Sequence, residues 1–364
     1  VGRHLTEQHL SGGNKLMTLR NGDEAYPQML AAIREAKEQV FLCTYIFNAG
    51  KIAAEFGDAL TEAAQRGVDV RLLVDGIGML YSWRKPWKKL AEHGVQVAMF
   101  LPPRLFPPNC SINLRNHRIM LVCDNTAFTG GMNISDDNIA AGKTKYVQDV
   151  HFHCQGPIVD QLRRAFLLNW GFCTGKYSPL PPASGLPAGE SHCRIIMDGP
   201  GSEADVLNDI FCGVVNAARQ SVRIMTPYFL PTHGFMSALR SAAQRGVDVK
   251  VVLPAKNNLF YVHWAQFRLL PTLLEAGVRV WYQPPPFAHT KLLTVDYYYS
   301  QVGSANLDPR SLRLNFELNM EVFDPQFCEG IAAHIDDVIS RSTEMTADKL
   351  KTLSLPTRLR NAAC

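Results

Sequence analysis

LTEAAQRGVDVRLLVDG stands at residues 60–76, and LRSAAQRGVDVKVVLPA at residues 239–255. Eight consecutive letters, AAQRGVDV, are the same in both, at 63–70 and 242–249. Each copy reads as apolar residues at helical spacing, a glycine where the helix stops, and then the apolar run of a strand. The match extends outward in order. AIREAKEQVFLCTYIF (32–47) corresponds to VVNAARQSVRIMTPYF (214–229), and LAEHGVQVAMFLPP (90–103) to LLEAGVRVWYQPPP (273–286). A repeat of about half the chain means two similar domains, not a solenoid of short units. Helices alternating with apolar strands predict α/β layers with a mostly parallel sheet in each half. The Pro/Gly/Ser-rich stretch TGKYSPLPPASGLPAGES (174–191) separates the copies. The expected organisation is a first domain over 1–176, a linker over 177–192, a second domain over 193–345 and a basic tail over 346–364.

Composition narrows the classes. The chain has 364 residues, 46% hydrophobic and 19% charged, which describes a folded globular protein. The net charge of +4 does not announce a nucleic-acid binder. Nine cysteines with no C-x-x-C pair read as reduced thiols, not a disulfide or zinc framework. No apolar run reaches the ~18–20 residues of a membrane span. The polar start VGRHLTEQHLSGGNK carries no signal-peptide pattern.

After the third repeat block each half carries a similar octet, HRIMLVCD (117–124) and HTKLLTVD (289–296), followed by TGGMN (129–133) and VGSAN (302–306). On a strand, His289 and Lys291 share a face and can address one anion together. A hairpin after Asp296 would return Asn306 beside His289. One copy alone reads as a stray histidine and a snorkelling lysine; two copies point to function. Two histidines meeting between the halves suit a two-step displacement at phosphorus, with Lys and Asn holding the charge. No metal or other cofactor is expected, and His151-Phe152-His153 is read as part of a strand.

The first octet has Ile119 where the second has Lys291. It is also one residue short, with thirteen residues from His117 to Gly130 against fourteen from His289 to Gly303. Either Ile119 replaces the lysine and the hairpin turn is shorter, or a residue is absent between Arg118 and Ile119. The second alignment keeps the phrase IMLVCDNTAFTGG intact and is the one preferred from sequence. A missing phosphate clamp would cost ~10²–10³ in rate.

The doubled pattern H-x-K-x-x-x-x-D with G-[GS]-x-N resembles the hallmark of the phospholipase D superfamily, over essentially the whole chain. TYIF (44–47), RNH (115–117), AFTGGMNISD (127–136), TPYFLP (226–231) and GSANLDPRSLRLNFE (303–317) are similar to bacterial cardiolipin synthases. The resemblance implies two tandem phospholipase D-like α/β/α domains related by a pseudo-two-fold, with the active site at their interface. It implies that one histidine attacks phosphorus while the other gives and removes a proton. Attack is assigned to His117 and proton transfer to His289, with the reverse left open. Lys291, Asn133 and Asn306 match phosphate-holding positions, while Glu317 and Asp149 match the acids that orient the histidines. Asp124 and Asp296 close the motifs and are expected to brace structure more than touch substrate. Tyr45, Arg118, Gly131, Tyr228 and Ser304 are the adjoining positions expected to contact substrate.

The substrate is then a phosphodiester, and the sequence offers hints about its substituents. MLYSWRKPWKKL (79–90) sets Trp83 and Trp87 among Arg84, Lys85, Lys88 and Lys89, as at a membrane interface, or else it is a solvated helix start with packed Trp. LPPRLFPPN (101–109) and NNLFYVHWAQFRLLP (257–271) could line an acyl entrance or form core and loop. The expected activity joins two phosphatidylglycerols into cardiolipin through a phosphohistidine, releasing glycerol. A lipid hydrolase, a metal-independent nuclease and a silent lipid-binding scaffold are the alternatives. The expected partners are anionic phospholipid and the membrane surface, peripherally on the cytoplasmic face. Nucleic acid is not the first choice, and oligomeric state is not legible.

Overall fold

The computed structural model describes residues 2–6, 8–81, 86–103, 113–179, 185–201 and 204–352, and for Tyr81, Pro86 and Lys88 the backbone alone. The first half runs α1 (Gly2–Leu5), β1 (Ser11–Arg20), α2 (Asn21–Glu35), β2 (Gln39–Thr44), α3 (Lys51–Gln65), β3 (Asp69–Asp75), α4 (Pro86–Glu92) and β4 (Gln96–Phe100). It closes with β5 (Met120–Cys123), β6 (Thr126–Gly130), β7 (Val147–Gln148), β8 (Val150–Gln155) and α5 (Ile158–Thr174). The second half runs β9 (Ser191–Asp198), α6 (Val206–Ala217), β10 (Ser221–Met225), α7 (His233–Gln244), β11 (Asp248–Pro254), α8 (Phe260–Gln266), α9 (Leu270–Glu275) and β12 (Arg279–Gln283). There follow β13 (Phe287–Ala288), β14 (Leu292–Val295), β15 (Tyr299–Gly303), α10 (Pro309–Arg313), β16 (Glu317–Phe323), α11 (Pro325–Ser340), β17 (Thr343–Met345) and α12 (Ala347–Lys351).

The identical segment has an identical task in both halves. In α3, Ile52, Ala53, Phe56, Ala59, Leu60 and Ala63 form one buried stripe, and Gly67 ends the helix at φ +88°. Gly246 does the same after α7 at φ +90°. The arginine before each glycine reaches back to the preceding helix end. Arg66 Nη2 donates to the carbonyls of Ile33 and Ala36, and Arg245 Nη2 to those of Asn216 and Ala218. These are carbonyls that a helix terminus leaves without partners of its own.

Among the described residues, fifteen strands form one sheet, β17-β12-β11-β10-β14-β15-β16-β9-β1-β8-β6-β5-β2-β3-β4. Outward from its centre, β1-β8-β6-β5-β2-β3-β4 is matched by β9-β16-β15-β14-β10-β11-β12. The two central strands are antiparallel, so a pseudo-two-fold relates the halves. Within this sheet only β2-β3-β4 and β10-β11-β12 pair in parallel. The expectation of a mostly parallel sheet is therefore corrected. Each half returns through short hairpins, which can only join antiparallel strands. Helices α5 and α11 pack on a core that takes Phe41 and Val122 from one half and Ile195 and Val302 from the other. Separate apolar clusters lie under α2–α4 and under α6, α7 and α9.

The strand registers settle where the first octet lost its residue. Val40 pairs with Cys123 in β2–β5, as Val222 pairs with Val295 in β10–β14. Cys123 pairs with Thr126 across the first turn, whereas Val295 pairs with Tyr299 across the second. The turn is thus Asp124-Asn125 in one half and Asp296-Tyr297-Tyr298 in the other. Asp124 accepts from the backbone N–H groups of Lys37, Glu38 and Gln39, and Asp296 from those of Arg219, Gln220 and Ser221. The two aspartates are equivalent, so Ile119 stands at the position of Lys291. The alignment preferred from sequence is overturned, because period-2 pairing carries every side chain from 119 to 124 onto the face its counterpart uses.

Candidate active site

Both motif histidines are held by the opposite half. His117 N donates to the carbonyl of Phe316 at 2.8 Å, and His289 N to that of Gln148 at 2.7 Å. The next residue on each of those strands is an acid. Glu317 Oε1 lies 3.1 Å from His117 Nδ1, and Asp149 Oδ2 lies 2.9 Å from His289 Nδ1. A carboxylate only accepts, so each imidazole carries its proton on Nδ1 and keeps Nε2 for chemistry. The carboxylate side chains are sealed, at 0% and 1% exposed, while the imidazoles are 23% and 24% exposed. The two rings are close enough for the charge on His117 to act on His289.

The surroundings of the two histidines differ. Lys291 Nζ lies 3.0 Å from the unprotonated Nε2 of His289 and 2.8 Å from its Nδ1, and it donates to the His289 carbonyl. It reaches into the first half beside Gly131, where an added Cβ would fall 2.9 Å from Asp149 Oδ2 and 3.1 Å from Lys291 Nζ. Burial pushes the Lys291 ammonium down to about 8. Burial would raise the Asp149 carboxyl, but Lys291 and His289 outweigh it and hold the group below the usual carboxylate range. Burial and the Lys291 charge hold His289 below the ordinary histidine value, against the pull of Asp149.

Around His117 the second half supplies neutral donors. Ser304 Oγ donates to Glu317 Oε2 at 2.6 Å, and Asn315 Nδ2 to Glu317 Oε1 at 3.0 Å. Asp75 Oδ2 accepts from Asn116 N at 2.7 Å, fixing the strand entry, and burial raises the carboxyls of Asp75 and Asp308, against the pull of His117. The Tyr45 ring meets His117 edge-on at 4.4 Å and Tyr228 meets His289 at 6.4 Å. Arg115 Nη1 donates to the Tyr45 hydroxyl.

The remaining expected positions sort themselves by contact. Asn133 Oδ1 accepts from Ile46 N at 2.9 Å, so a substrate contact would come through Nδ2. Asn306 Nδ2 donates to Ser311 Oγ, and its buried Oδ1 has no hydrogen-bond partner among the described residues. Three positions expected to touch substrate have other work. Arg118 donates to the carbonyls of Glu317 and Asp198 and to Asn169 Oδ1, which ties the halves together. Ser304 serves Glu317, and Gly131 makes room for Asp149 and Lys291. Asp124 and Asp296 brace the turns, away from the histidines.

Trp87 is a core side chain of α4, 2% exposed, in the apolar cluster shared with α2 and α3, so it is not at a membrane interface. Lys89 is exposed; Trp83, Arg84 and Lys85 lie outside the described residues, as does the side chain of Lys88. His151 is buried, with neither ring nitrogen hydrogen-bonded among the described residues, while His153 Nε2 meets Thr126 Oγ1 at 2.6 Å. Among the described residues no group of three or more His, Cys, Asp or Glu is arranged to hold a metal, and no helix is long and apolar enough to cross a membrane. Sequence reasoning missed Asn315, Asp75 and Asp308. None belongs to the repeated motif, and only the closed fold brings them to His117.

The family model "Cardiolipin synthase, PLD-like domain" matches residues 29–170 and 211–339. Cardiolipin synthase 2 of Bacillus anthracis is 32% identical over 359 residues, covering 96% of this chain and 70% of that protein. Cardiolipin synthase A of Cronobacter sakazakii is 34% identical over 346 residues, covering 92% and 71%. Among solved structures, the phosphatidylserine synthase of Haemophilus influenzae superposes with a TM-score of 0.72 at 16% identity, covering 98% of this chain and 94% of that one. The polyphosphate kinase of Porphyromonas gingivalis gives 0.62 at 13% identity, covering 92% and 49%. Those two likenesses speak to fold alone; the family match and the relatives, together with the doubled motif, place the chain in the phospholipase D superfamily, among its cardiolipin synthase-type phosphatidyltransferases.

Proposed function

We propose that the protein transfers a phosphatidyl group between phosphatidylglycerol molecules at a membrane surface, on its cytoplasmic face, making cardiolipin and releasing glycerol. The observation that carries this reading is the crossed pair. Each imidazole is oriented at Nδ1 by a sealed carboxylate of the other half, which leaves two Nε2 atoms for one phosphodiester. Relatives named cardiolipin synthase support the choice of lipid.

The unequal surroundings support His289 as nucleophile, the reverse of the order assigned from sequence. Its Lys291 neighbour disfavours an imidazolium, whereas His117 pairs with Glu317, whose other donors, Ser304 and Asn315, are neutral. In the first step His289 Nε2 bonds to phosphorus, the bond from phosphorus to the glycerol oxygen breaks, and His117 Nε2 gives that oxygen a proton. In the second, the hydroxyl of another phosphatidylglycerol returns a proton to His117. Its oxygen then bonds to phosphorus, and the phosphorus–nitrogen bond breaks. Lys291 and the Asn133 and Asn306 amides stabilise the charge that builds on the phosphoryl oxygens.

Incubation with phosphatidylglycerol vesicles followed by lipid chromatography tests the reading. Cardiolipin and glycerol in equal amounts are expected. Phosphatidic acid alone would make the protein a hydrolase, and an unchanged lipid pool would overturn the assignment.

A further inference from the structure

We infer that α8 is the element by which the protein seats on an anionic lipid bilayer, a reading that rests on a phospholipid substrate. Trp87 belongs to the core, and Trp83, Arg84 and Lys85 of the stretch expected at the interface lie outside the described residues. Phe260 is 61% exposed and Tyr261 49%, on a helix whose other face buries Val262 and Gln266. Their rings form one surface cluster with Trp264, Phe260 lying 4.8 Å from Trp264 and 5.8 Å from Tyr261. Aromatic side chains presented this way suit the headgroup layer, where one end of the ring is apolar and the other wet.

Two observations choose a bilayer over a protein as the occupant. The first is charge. From Val249 to Leu274 the sequence contains no Asp or Glu, while Lys256 and Arg268 flank the aromatic cluster and are exposed. Such a surface suits anionic lipid. The second is continuity with the site. Asn258, just before α8, accepts from the Tyr228 hydroxyl at 2.8 Å. The Tyr228 and Phe287 rings lie 6.4 Å and 6.1 Å from His289. The hydrogen bond from Tyr228 to Asn258 thus ties the start of the exposed helix to the aromatic side chains beside the reacting imidazole. At the matching place in the first half, Leu80 is 65% exposed on the turn Gly78–Tyr81, whose Gly78 packs against the Tyr45 carbonyl. Exposed apolar side chains at matching places in the two halves would let a lipid phosphate enter while its acyl chains stay in the bilayer.

The test compares the wild type with the double variant Phe260→Ser/Tyr261→Ser. Flotation is measured with phosphatidylglycerol vesicles and with phosphatidylcholine vesicles. Turnover is measured on phosphatidylglycerol vesicles and on a short-chain phosphatidylglycerol dispersed below its micellar concentration. The double variant is expected to bind phosphatidylglycerol vesicles roughly 10–100-fold more weakly, to lose vesicle turnover in proportion, and to keep its rate on the dispersed lipid. Lys256→Gln/Arg268→Gln is expected to erase the preference for phosphatidylglycerol vesicles. Unchanged flotation of the aromatic variant would overturn the proposal, as would a change in oligomeric state without a change in flotation, which would make α8 a contact between copies. Should the wild type turn over neither lipid form, the proposed activity fails, while flotation still decides α8.

Discussion

At position 119 an isoleucine stands where the other half places Lys291, and its surroundings have adapted to a neutral neighbour. Glu317 takes donors from Ser304 and Asn315, and Ile119 itself is 6% exposed. Ile119→Lys would put a second cation beside the phosphoryl oxygens. It is expected to raise kcat/KM by up to ~10², measured on phosphatidylglycerol. Inserting Lys between Arg118 and Ile119 is expected to abolish turnover instead, because it shifts β5 by one residue and turns its core side chains outward. An insertion variant more active than the substitution would refute the register argument. Lys291 carries a pH signature of its own. With its ammonium lowered to about 8, the charge is lost as pH rises through that value, so kcat/KM should fall above pH 8. Lys291→Arg cannot deprotonate there and should lack that alkaline limb, at a lower plateau.

The strands β7, β13 and β16 decide which acid serves which histidine. β13 pairs in parallel with β7, which sets Gln148 and Asp149 against His289, and the carbonyl of Phe316 ahead of β16 does the same for His117. Glu317→Gln and Asp149→Asn should each lower kcat by roughly 10²–10⁴ with little change in KM, since an amide can hold the imidazole in the wrong tautomer. Steady-state kinetics on phosphatidylglycerol separates that outcome from a binding loss. Much of this scale was legible beforehand. The helix–glycine–strand unit, the octets and their hairpins show in the letters because local periodicity and turn residues specify them. The crossing of the acids was not legible, since Glu317 and Asp149 each look local to their own half. β1 was hidden as well: SGGNKLMTLR is polar and carries two glycines, and only pairing with β8 and β9 makes it central.

Across the whole molecule, one sheet and a shared core under α5 and α11 make the halves a single unit, so the histidines cannot drift apart without breaking buried contacts. Arg118 spans that junction, and beside it lies Asp198, 1% exposed, with Oδ2 lacking a hydrogen-bond partner among the described residues. Burial raises the Asp198 carboxyl to about 8. A raised carboxyl favours the folded state below the unfolded value, near 4, and that contribution is lost as pH rises towards 8. Asn21 fills the matching place in the first half, where its Oδ1 accepts from Asp149 N. Asp198→Asn should therefore gain stability with rising pH, by about 1–3 kcal/mol at pH 9. Thermal melts at pH 5 and 9 would show a few degrees' gain only at the higher value; an equal change at both would contradict the assignment.

The central claim is that imidazoles from both halves act on one phosphorus atom, and trapping the covalent intermediate tests it most directly. A diacyl phosphatidyl ester of p-nitrophenol has a leaving group that needs no proton. With it, His117→Ala should release about one equivalent of p-nitrophenol per chain and then stop, carrying the phosphatidyl group on His289 in the mass spectrum of the quenched protein. His289→Ala should release none. An adduct on His117 would reverse the assigned roles, and steady turnover by both single variants, with no adduct on either histidine, would contradict the account.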